Sequence, residues 1–203
     1  SSLTGFEQSI WKTDGTTTGT EKVFDETSYN SWGGLHFMDQ GILFKDDDSG
    51  DFLQYYNIET NTTTSLIELG NSDISQFIPY QNGYIMMAEG ENDTVEIFVT
   101  DLTSQGTYLL SAFDDYNYNL FMSGSEYGIA IFNTNSFQTY DHKWVNVENG
   151  EVISLVDYIK QFKEIEDLRH CYIYNELMFI QVFEDGWQRN YIFDMESETF
   201  YDF

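Results

Sequence analysis

The sequence predicts an all-β fold, namely a β-propeller or partial propeller built from four-stranded antiparallel blades. Three observations lead to this prediction. A motif recurs along the 203 residues at intervals of about 45. Short aromatic and apolar runs, bounded by Gly, Asn, Asp, Ser and Thr, supply four strands in each full interval. The chain contains 17 Phe, 15 Tyr and 4 Trp but only one Pro, which suits strands around a packed core.

The repeat is clearest where residues 11–20 match residues 98–107 without a gap, at an offset of 87 residues. Because that offset is twice about 43, we expect a copy between them, and residues 56–63 supply a weaker one. Two degenerate copies follow, at 144–150 and 191–197. We expect an acidic residue to anchor the turn of each copy, at spacings of 45, 42, 47 and 48 residues: Asp14, Glu59, Asp101, Glu148 and Glu196.

Each copy is typical of a β-hairpin, since an aromatic strand leads into a turn rich in acids, Gly, Asn, Thr and Ser and then into a second strand. Two further strands precede each of the last four hairpins. We therefore expect blades at 28–69, 74–113, 118–159 and 166–203, after the outer hairpin of an incomplete blade at 5–25. The incomplete blade suggests a longer propeller, or a blade that a neighbouring chain completes.

One segment departs from the strand pattern. Between residues 154 and 169, apolar side chains recur near helical spacing with charged residues opposite them. We expect a short helical insertion near 156–169, directly after a strand at 153–156. The alternative is an extended connection between two blades.

The two best copies resemble a known repeat. Residues 9–16 read Ser-Ile-Trp-Lys-Thr-Asp-Gly-Thr, and residues 96–103 read Glu-Ile-Phe-Val-Thr-Asp-Leu-Thr. With the Gly-Thr pairs at 19–20 and 106–107, they resemble the Glu-Leu-Trp-x-x-Asp-Gly-Thr-x-x-Gly-Thr repeat of hyalin-like bacterial β-propellers. The resemblance implies a secreted or surface-anchored protein whose propeller is a binding or spacer module without catalytic residues. The departures from the repeat include the following residues, where the family has Glu, Leu, Trp and Gly: Ser9, Ile10, Phe98 and Leu102.

The charge balance excludes several classes of protein. With 35 acidic and 8 basic residues, the net charge of −27 leaves no basic face for nucleic acid. The same charge opposes binding to an anionic membrane surface, and no run of 18 apolar residues could span a membrane. Cys171 is the single cysteine, so a disulfide scaffold is excluded. We expect Cys171 to be a small buried apolar residue.

The sequence offers little evidence for enzymatic chemistry, and we expect that the protein is not an enzyme. The three histidines, His36, His142 and His170, are scattered and give no zinc-ligand spacing with the single cysteine. His170 and Cys171 are neighbours in a strand, so their side chains point to opposite faces and form no dyad. A carboxylate pair for glycoside hydrolysis remains the enzymatic alternative.

One acidic loop is a candidate calcium site. Residues 46–51 read Asp-Asp-Asp-Ser-Gly-Asp at the turn between two strands, and hard cations prefer several oxygen ligands. The candidate ligands are Asp46, Asp48 and Asp51. The loop lacks the EF-hand spacing, and the alternative is a solvated acidic hairpin. Residues 89–93 form a weaker candidate at the equivalent turn of the next blade.

Aromatic residues divide into two groups. Four recur once per blade within strands, and we expect them to pack between blades: Trp11, Tyr56, Phe98 and Phe193. Four others are expected in loops outside the strands, among Asn, Asp and Gly, where they suit sugar stacking or protein contacts: Trp32, Tyr116, Tyr118 and Trp187.

Together these patterns favour a non-catalytic binding or scaffolding module of an extracellular or cell-surface assembly, which recognises a protein or a glycan. A glycan-active hydrolase is the first alternative. A structural subunit whose half blade is completed by a neighbouring chain is the second.

Overall fold

The protein is nearly all β, and the fold class expected from the repeat is confirmed. The computed structural model describes residues 8–26, 35–38, 40–46, 51–90, 94–114, 120–133 and 142–202. Within these residues the strands form four four-stranded sheets and one two-stranded sheet. All pairings are antiparallel, and each four-stranded sheet is a meander whose strands follow one another in chain order, as in the blades of a propeller.

The strands have the following bounds. The two-stranded sheet contains β1 (Gln8–Lys12) and β2 (Glu21–Glu26). The next sheet contains β3 (His36–Met38), β4 (Gly41–Asp46), β5 (Phe52–Asn57) and β6 (Thr62–Glu68). It is followed by β7 (Asp73–Tyr80), β8 (Gly83–Glu89), β9 (Thr94–Thr100) and β10 (Tyr108–Asp114). The third set is β11 (Leu120–Ser125), β12 (Gly128–Asn133), β13 (Lys143–Val145) and β14 (Val152–Ser154). The last is β15 (Asp167–Tyr174), β16 (Leu177–Glu184), β17 (Trp187–Asp194) and β18 (Thr199–Asp202).

The first strands of successive sheets lie side by side, because β11 contacts β7 on one side and β15 on the other. Two polar side chains join these strands in place of backbone pairing. The Gln76 amide donates to the carbonyl of Leu120 (2.6 Å) and accepts the N–H of Met122 (2.8 Å). Ser123 bonds both backbone groups of Ile173, at 3.0 and 2.9 Å. The last three sheets are therefore joined to one another through their first strands.

The hydrophobic core lies between consecutive sheets. In β8, Ile85 and Met87 pack toward the β11–β14 sheet, whereas Met86 packs toward the β3–β6 sheet. In the next sheet, Ile129 and Trp144 likewise belong to different core clusters. Successive residues of a strand point to opposite faces, so each of these central sheets buries both faces.

A short helix follows the third four-stranded sheet, as expected, but it is shorter than the sequence suggested. It spans α1 (Leu155–Lys160), and the Ser154 hydroxyl caps it by accepting the N–H of Asp157 (3.4 Å). The strand expected at 153–156 ends at this cap. The apolar residues beyond Lys160 do not belong to the helix. Leu168, for example, is buried within β15.

The turn anchors were correctly placed in the two best copies. The carboxylate of Asp14 accepts the N–H of Thr16 (2.9 Å), and that of Asp101 accepts the N–H of Thr103 (2.9 Å). In both copies the threonine hydroxyl donates to the same oxygen. These hydrogen bonds lower the pKa of Asp14 and Asp101.

The anchors expected in the three weaker copies were wrong, because the turn is closed by a residue two positions earlier. Asn57, Asn146 and Asp194 accept backbone N–H groups two and three residues ahead, at 2.8 to 3.3 Å. The expected anchors donate one N–H each to these turns and are otherwise ordinary turn residues: Glu59, Glu148 and Glu196. Side-chain amides replace the acid in two copies, since an Asn oxygen accepts the same bonds.

Candidate functional site

The last sheet, β15–β18, buries one face and leaves the other open. Along β15, buried Cys171 and Ile173 alternate with exposed Tyr172 and Tyr174. Along β16, buried side chains alternate in the same way with Phe179 and Phe183, which are both 40% exposed. This sheet therefore differs from the two central sheets, whose faces are both covered. We call its exposed side the open face.

One apolar row crosses the open face from edge to edge. The strand register pairs Tyr172 with Phe179, Phe179 with Ile192, and Ile192 with Tyr201. Tyr172 and Tyr201 are 50% and 51% exposed, and Ile192 is half-buried. Directly paired side chains lie about 4.5–5.5 Å apart at their Cβ atoms, so the four form a continuous band.

The rest of the open face is mixed, with exposed Phe183 and Tyr174, the amides of Gln181 and Asn190, and few charged groups. Next to the apolar row, Gln181 donates its side-chain N–H to the Asn190 amide oxygen (3.0 Å). These residues, with His170, line an open depression of about 380 Å³. The register places two carboxylates on this side of the sheet: Asp194, at a margin in the row of Tyr174, and Asp167, opposite Phe183 and paired with Arg169 at 2.8 Å. In a chain with 35 acids, this face is depleted of charge.

Trp187 is the one of the four expected loop aromatics that falls within the described residues, and its expected place outside the strands was wrong. It is the first residue of β17 and is 72% exposed. The turn before it consists of Asp185 and Gly186 alone, with φ of 51° and 80°. Positive φ at both central residues is the geometry of a two-residue hairpin turn, so the strand resumes at once. Trp187 shares its side of β17 with buried Tyr191, away from the open face.

The other three loop aromatics, Trp32, Tyr116 and Tyr118, lie outside the described residues. The four strand aromatics fall in two groups. Tyr56, Phe98 and Phe193 are buried, as expected for packing between sheets. Trp11 is 58% exposed, so the expectation of packing was wrong for that copy. Its ring instead lies 6.0 Å from the Nζ of Lys22.

The acidic loop of the calcium prediction is described only at its two ends. Asp46 ends β4, and Asp48 lies outside the described residues. The Asp51 carboxylate lies 3.7 Å from the Nζ of Lys45, which also pairs with Asp73 at 3.4 Å. Among the described residues, no three acidic, His or Cys side chains come together as metal ligands. Calcium binding by this loop stays a prediction.

A second candidate site is a cleft between the first two four-stranded sheets. The cleft has a volume of about 350 Å³ and is formed by turns at one end of the molecule. The β3–β4 turn contributes Met38 and Gln40, and the β7–β8 turn contributes Gln81 and Asn82. The remaining walls are Tyr55, Pro79, Gly83, Tyr84 and Leu102. Since none of these described lining residues carries a formal charge at neutral pH, we call it the neutral cleft.

Two backbone positions shape the neutral cleft. A Cβ at Gly83 would collide with the carbonyl oxygen of Thr100, so only glycine allows this close approach. Leu102 has a φ of 66°, at the turn position where the first copy of the repeat has Gly15 with a φ of 90°. The Leu102 N–H donates to the Thr100 hydroxyl (2.9 Å), which helps to hold this conformation. A branched side chain at a position suited to glycine therefore supplies one apolar wall.

The tyrosines between sheets differ in their surroundings. Burial first, and neighbouring Tyr84 second, raise the pKa of Tyr55 in the neutral cleft. In the next gap, burial, Tyr108 and then the carboxylates of Glu126 and Glu148 raise the pKa of Tyr80. In the third gap, burial and then four carboxylates raise the pKa of Tyr127: Glu196, Glu126, Glu176 and Asp194. All three phenols stay protonated at neutral pH. Carboxylates contribute to the raised pKa of Tyr80 and Tyr127, whereas Tyr84 contributes to that of Tyr55.

Cys171 and His170 do not form a nucleophile–base pair. Cys171 is buried, as expected, and burial raises its thiol pKa, which opposes formation of the thiolate. The neighbouring His170 is exposed on the opposite side of β15, so these two residues form no dyad. His36 is half-buried against the Phe77 ring (5.2 Å between centroids), and burial lowers its pKa. No helix among the described residues is long and apolar enough to cross a membrane.

No protein-family model matches the chain, and no curated protein matches it either. Among solved structures, the computationally designed Ika4 protein is similar at 12% identity, over 80% of this chain and 92% of that one, with a TM-score of 0.48. TolB from Acinetobacter baumannii is similar at 10% identity, over 96% of this chain and 48% of that one, with a TM-score of 0.44. A chain of a nidogen/laminin complex is similar at 9% identity, over 91% of this chain and 83% of that one, with a TM-score of 0.41.

Proposed function

We propose that the protein is a non-catalytic binding or scaffolding module of an extracellular or cell-surface protein assembly, and that the open face of β15–β18 holds a partner protein. The observation that carries this proposal is the continuous apolar row Tyr172–Phe179–Ile192–Tyr201 on the exposed side of a sheet whose other side supplies most of its buried residues to the core. Exposed, contiguous apolar patches of this kind mark interaction sites.

The composition of the open face favours a protein over other ligands. Aromatic enrichment together with loss of charged residues is the signature of the core of a protein interface. Tyr172 and Tyr201 supply large, rigid contact area, and the Gln181–Asn190 pair offers amide groups beside it. The face is also flat, since it is one side of a sheet, and the two central sheets cover their own flat faces with another sheet. We therefore expect the partner to present an apolar sheet face.

The net charge of the chain determines which charged residues we expect around the apolar contact surface of the partner. Two copies at −27 each would repel one another over most of their surfaces. A partner with lysine and arginine around its apolar centre would gain attraction instead, both in the encounter and in the complex. We therefore expect a partner of net positive charge rather than a second copy. The extracellular setting rests on the resemblance to hyalin-like repeats.

The proposal is tested by photo-crosslinking. Tyr172 is replaced by a photoreactive phenylalanine analogue, the protein is applied to intact cells of its source, and the products of irradiation are identified. We expect adducts with one protein of net positive charge. That protein is then purified, and its affinity for the chain is expected to fall as the salt concentration rises.

The controls use both sides of the same sheet. Phe179→Asp and Tyr201→Asp place a carboxylate on the open face and should abolish the adduct, whereas Trp187→Asp lies on the other side and should retain it. Thermal melting establishes that each variant is folded. Adducts of the chain with itself, adducts with polysaccharide, or adducts that persist in the folded Phe179→Asp variant would each overturn the proposal.

A further inference from the structure

We infer that the neutral cleft between the β3–β6 and β7–β10 sheets binds a neutral sugar ring, such as one pyranose unit of a glycan. This site is separate from the open face, since it is formed by turns of two other sheets. Its occupancy does not depend on the partner protein proposed above.

The polar groups of the cleft match the chemistry of a sugar. Gln40, Gln81 and Asn82 each bring an amide that both donates and accepts hydrogen bonds. The hydroxyls of a sugar also donate and accept, so each amide can pair with them in either sense. The Gln81 Nε2 donates to the hydroxyl of Tyr80 (3.0 Å), which leaves its amide oxygen as an acceptor.

The apolar walls match the other half of a sugar, namely its C–H faces. Tyr55 is buried and Tyr84 is half-buried, and the Tyr84 ring is fixed edge-on against Phe77 at 5.8 Å between centroids. Met38 and Leu102 complete the apolar surface. An aromatic wall with a small number of placed polar groups is typical of small-ligand sites, whose volumes start at roughly 300 Å³. The cleft, at about 350 Å³, has room for a small ligand.

The electrostatics of the cleft select an uncharged ligand. None of the lining residues that the structure describes is acidic or basic, whereas Tyr80 and Tyr127 in the two following gaps have carboxylates beside them. An ammonium ligand would gain more from those two gaps than from the neutral cleft. A sugar carrying a carboxylate or sulfate would be repelled by a chain of net charge −27. Neutral hexoses and N-acetylhexosamines therefore fit the site best.

The test is saturation-transfer NMR followed by calorimetric titration, with methyl glycosides of neutral hexoses and N-acetylhexosamines as probes and methyl glucuronide as the charged counterpart. We expect saturation transfer to at least one neutral glycoside and weaker transfer to the glucuronide. Gln81→Ala should weaken the affinity roughly five- to tenfold, since it removes one hydrogen-bonding group.

The matched control is Asn175→Ala. Asn175 occupies the same position in the β15–β16 turn as Gln81 does in the β7–β8 turn, with φ of 53° against 49°, so both substitutions place Ala in the same left-handed turn position. Asn82→Ala serves as a further test if Gln81→Ala melts early. The inference is overturned if no neutral glycoside binds, if the glucuronide binds as well as the neutral sugars, or if Asn175→Ala weakens binding as much as Gln81→Ala.

Discussion

At the scale of single residues, the repeat is a repeat of one hydrogen-bonding device. A side-chain oxygen accepts the backbone N–H groups of the following turn in every copy, from Asp14 to Asp194. The oxygen belongs to an acid in three copies and to Asn57 and Asn146 in the other two. The true spacings are 43, 44, 45 and 48 residues, which is more regular than the acid-based series.

We predict that Asp194→Ala lowers the melting temperature, whereas Glu196→Ala in the same turn leaves it nearly unchanged. Asp194 accepts the N–H groups of Glu196 and Ser197 at 3.1 Å each, and these would lose their partner. Glu196 contributes only its backbone to this turn. Differential scanning calorimetry of the two variants measures the difference, and equal losses would show that the anchor is not Asp194.

The effect of Asp194 should also depend on pH. Hydrogen bonds from Ser197 lower the pKa of Asp194 in the folded protein below its ordinary value of about 3.9. A lowered folded-state pKa stabilises the protein above the ordinary pKa, and this stabilisation is lost as the pH falls through the folded-state pKa. The gap in melting temperature between the wild type and Asp194→Ala is therefore expected to be constant near neutral pH. It should narrow below about pH 4.

Residue types decided how far the sequence could predict these sites. An acid is a visible mark in the two copies that keep the Asp-x-Thr pattern, but Asn57 and Asn146 form the same bonds without one. Trp187 was expected in a loop because Asp185 and Gly186 are turn residues, yet a turn of only two residues leaves the next one in the strand. The exposure of Tyr172 depends on what covers the sheet, and strand periodicity does not encode that.

At the scale of elements, the sheets are joined by side-chain hydrogen bonds as well as by apolar packing. The Gln76 side chain bonds two backbone groups of the neighbouring inner strand, and Ser123 does so across the next gap. A glutamine or serine side chain that bonds the backbone of a neighbouring strand cannot be recognised from the hydropathy pattern. The number and order of strands could be predicted from the pattern, whereas these links between sheets could not.

We predict that Gln76→Ala destabilises the protein by about 1–3 kcal/mol, because it leaves the Leu120 carbonyl and the Met122 N–H without their side-chain partner. Leu120 and Met122 are both buried, so water cannot readily replace the amide. Urea unfolding followed by circular dichroism measures the free energy of unfolding. Gln181→Ala, on the open face, is the control and should cost less than about 0.5 kcal/mol. A loss no larger for Gln76→Ala than for Gln181→Ala would contradict this role.

For the helix α1, the sequence pattern predicted the buried residues but not the residue at which the helix ends. Its apolar residues Leu155 and Ile159 are buried, and Tyr158 stacks on Trp144 at 4.0 Å between ring centroids. Burial raises the pKa of Tyr158 to about 12. The helical spacing predicted these contacts correctly, but the pattern continued past the end of the helix because Ile165 and Leu168 fill the same core from an irregular segment and from β15.

At the scale of the whole molecule, most of the charged residues lie away from the open face. The acidic residues give a net charge of −27, while the open face carries almost none of it. Self-repulsion of this size weakens the folded state and disfavours contacts between copies.

We predict that sodium chloride raises the melting temperature. An increase from about 0.01 M to about 1 M shortens the screening length from about 30 Å to about 3 Å and so reduces the repulsion among carboxylates. Melting curves over this range measure the effect, and an unchanged or lower melting temperature would contradict it. Calcium chloride and magnesium chloride at equal ionic strength add a test of the acidic loop, since a calcium site would give a larger increase with calcium.

The central claim is that the open face binds a partner protein. The most direct test measures the dissociation constant of the crosslinked partner, once purified, for the wild type, Phe179→Asp and Trp187→Asp. A residue at the centre of an interface contributes about 2 kcal/mol or more, which corresponds to a roughly 30-fold weaker complex for Phe179→Asp. The same affinity is expected for Trp187→Asp as for the wild type. Equal binding by Phe179→Asp and the wild type, or a loss confined to Trp187→Asp, would show that the partner binds elsewhere.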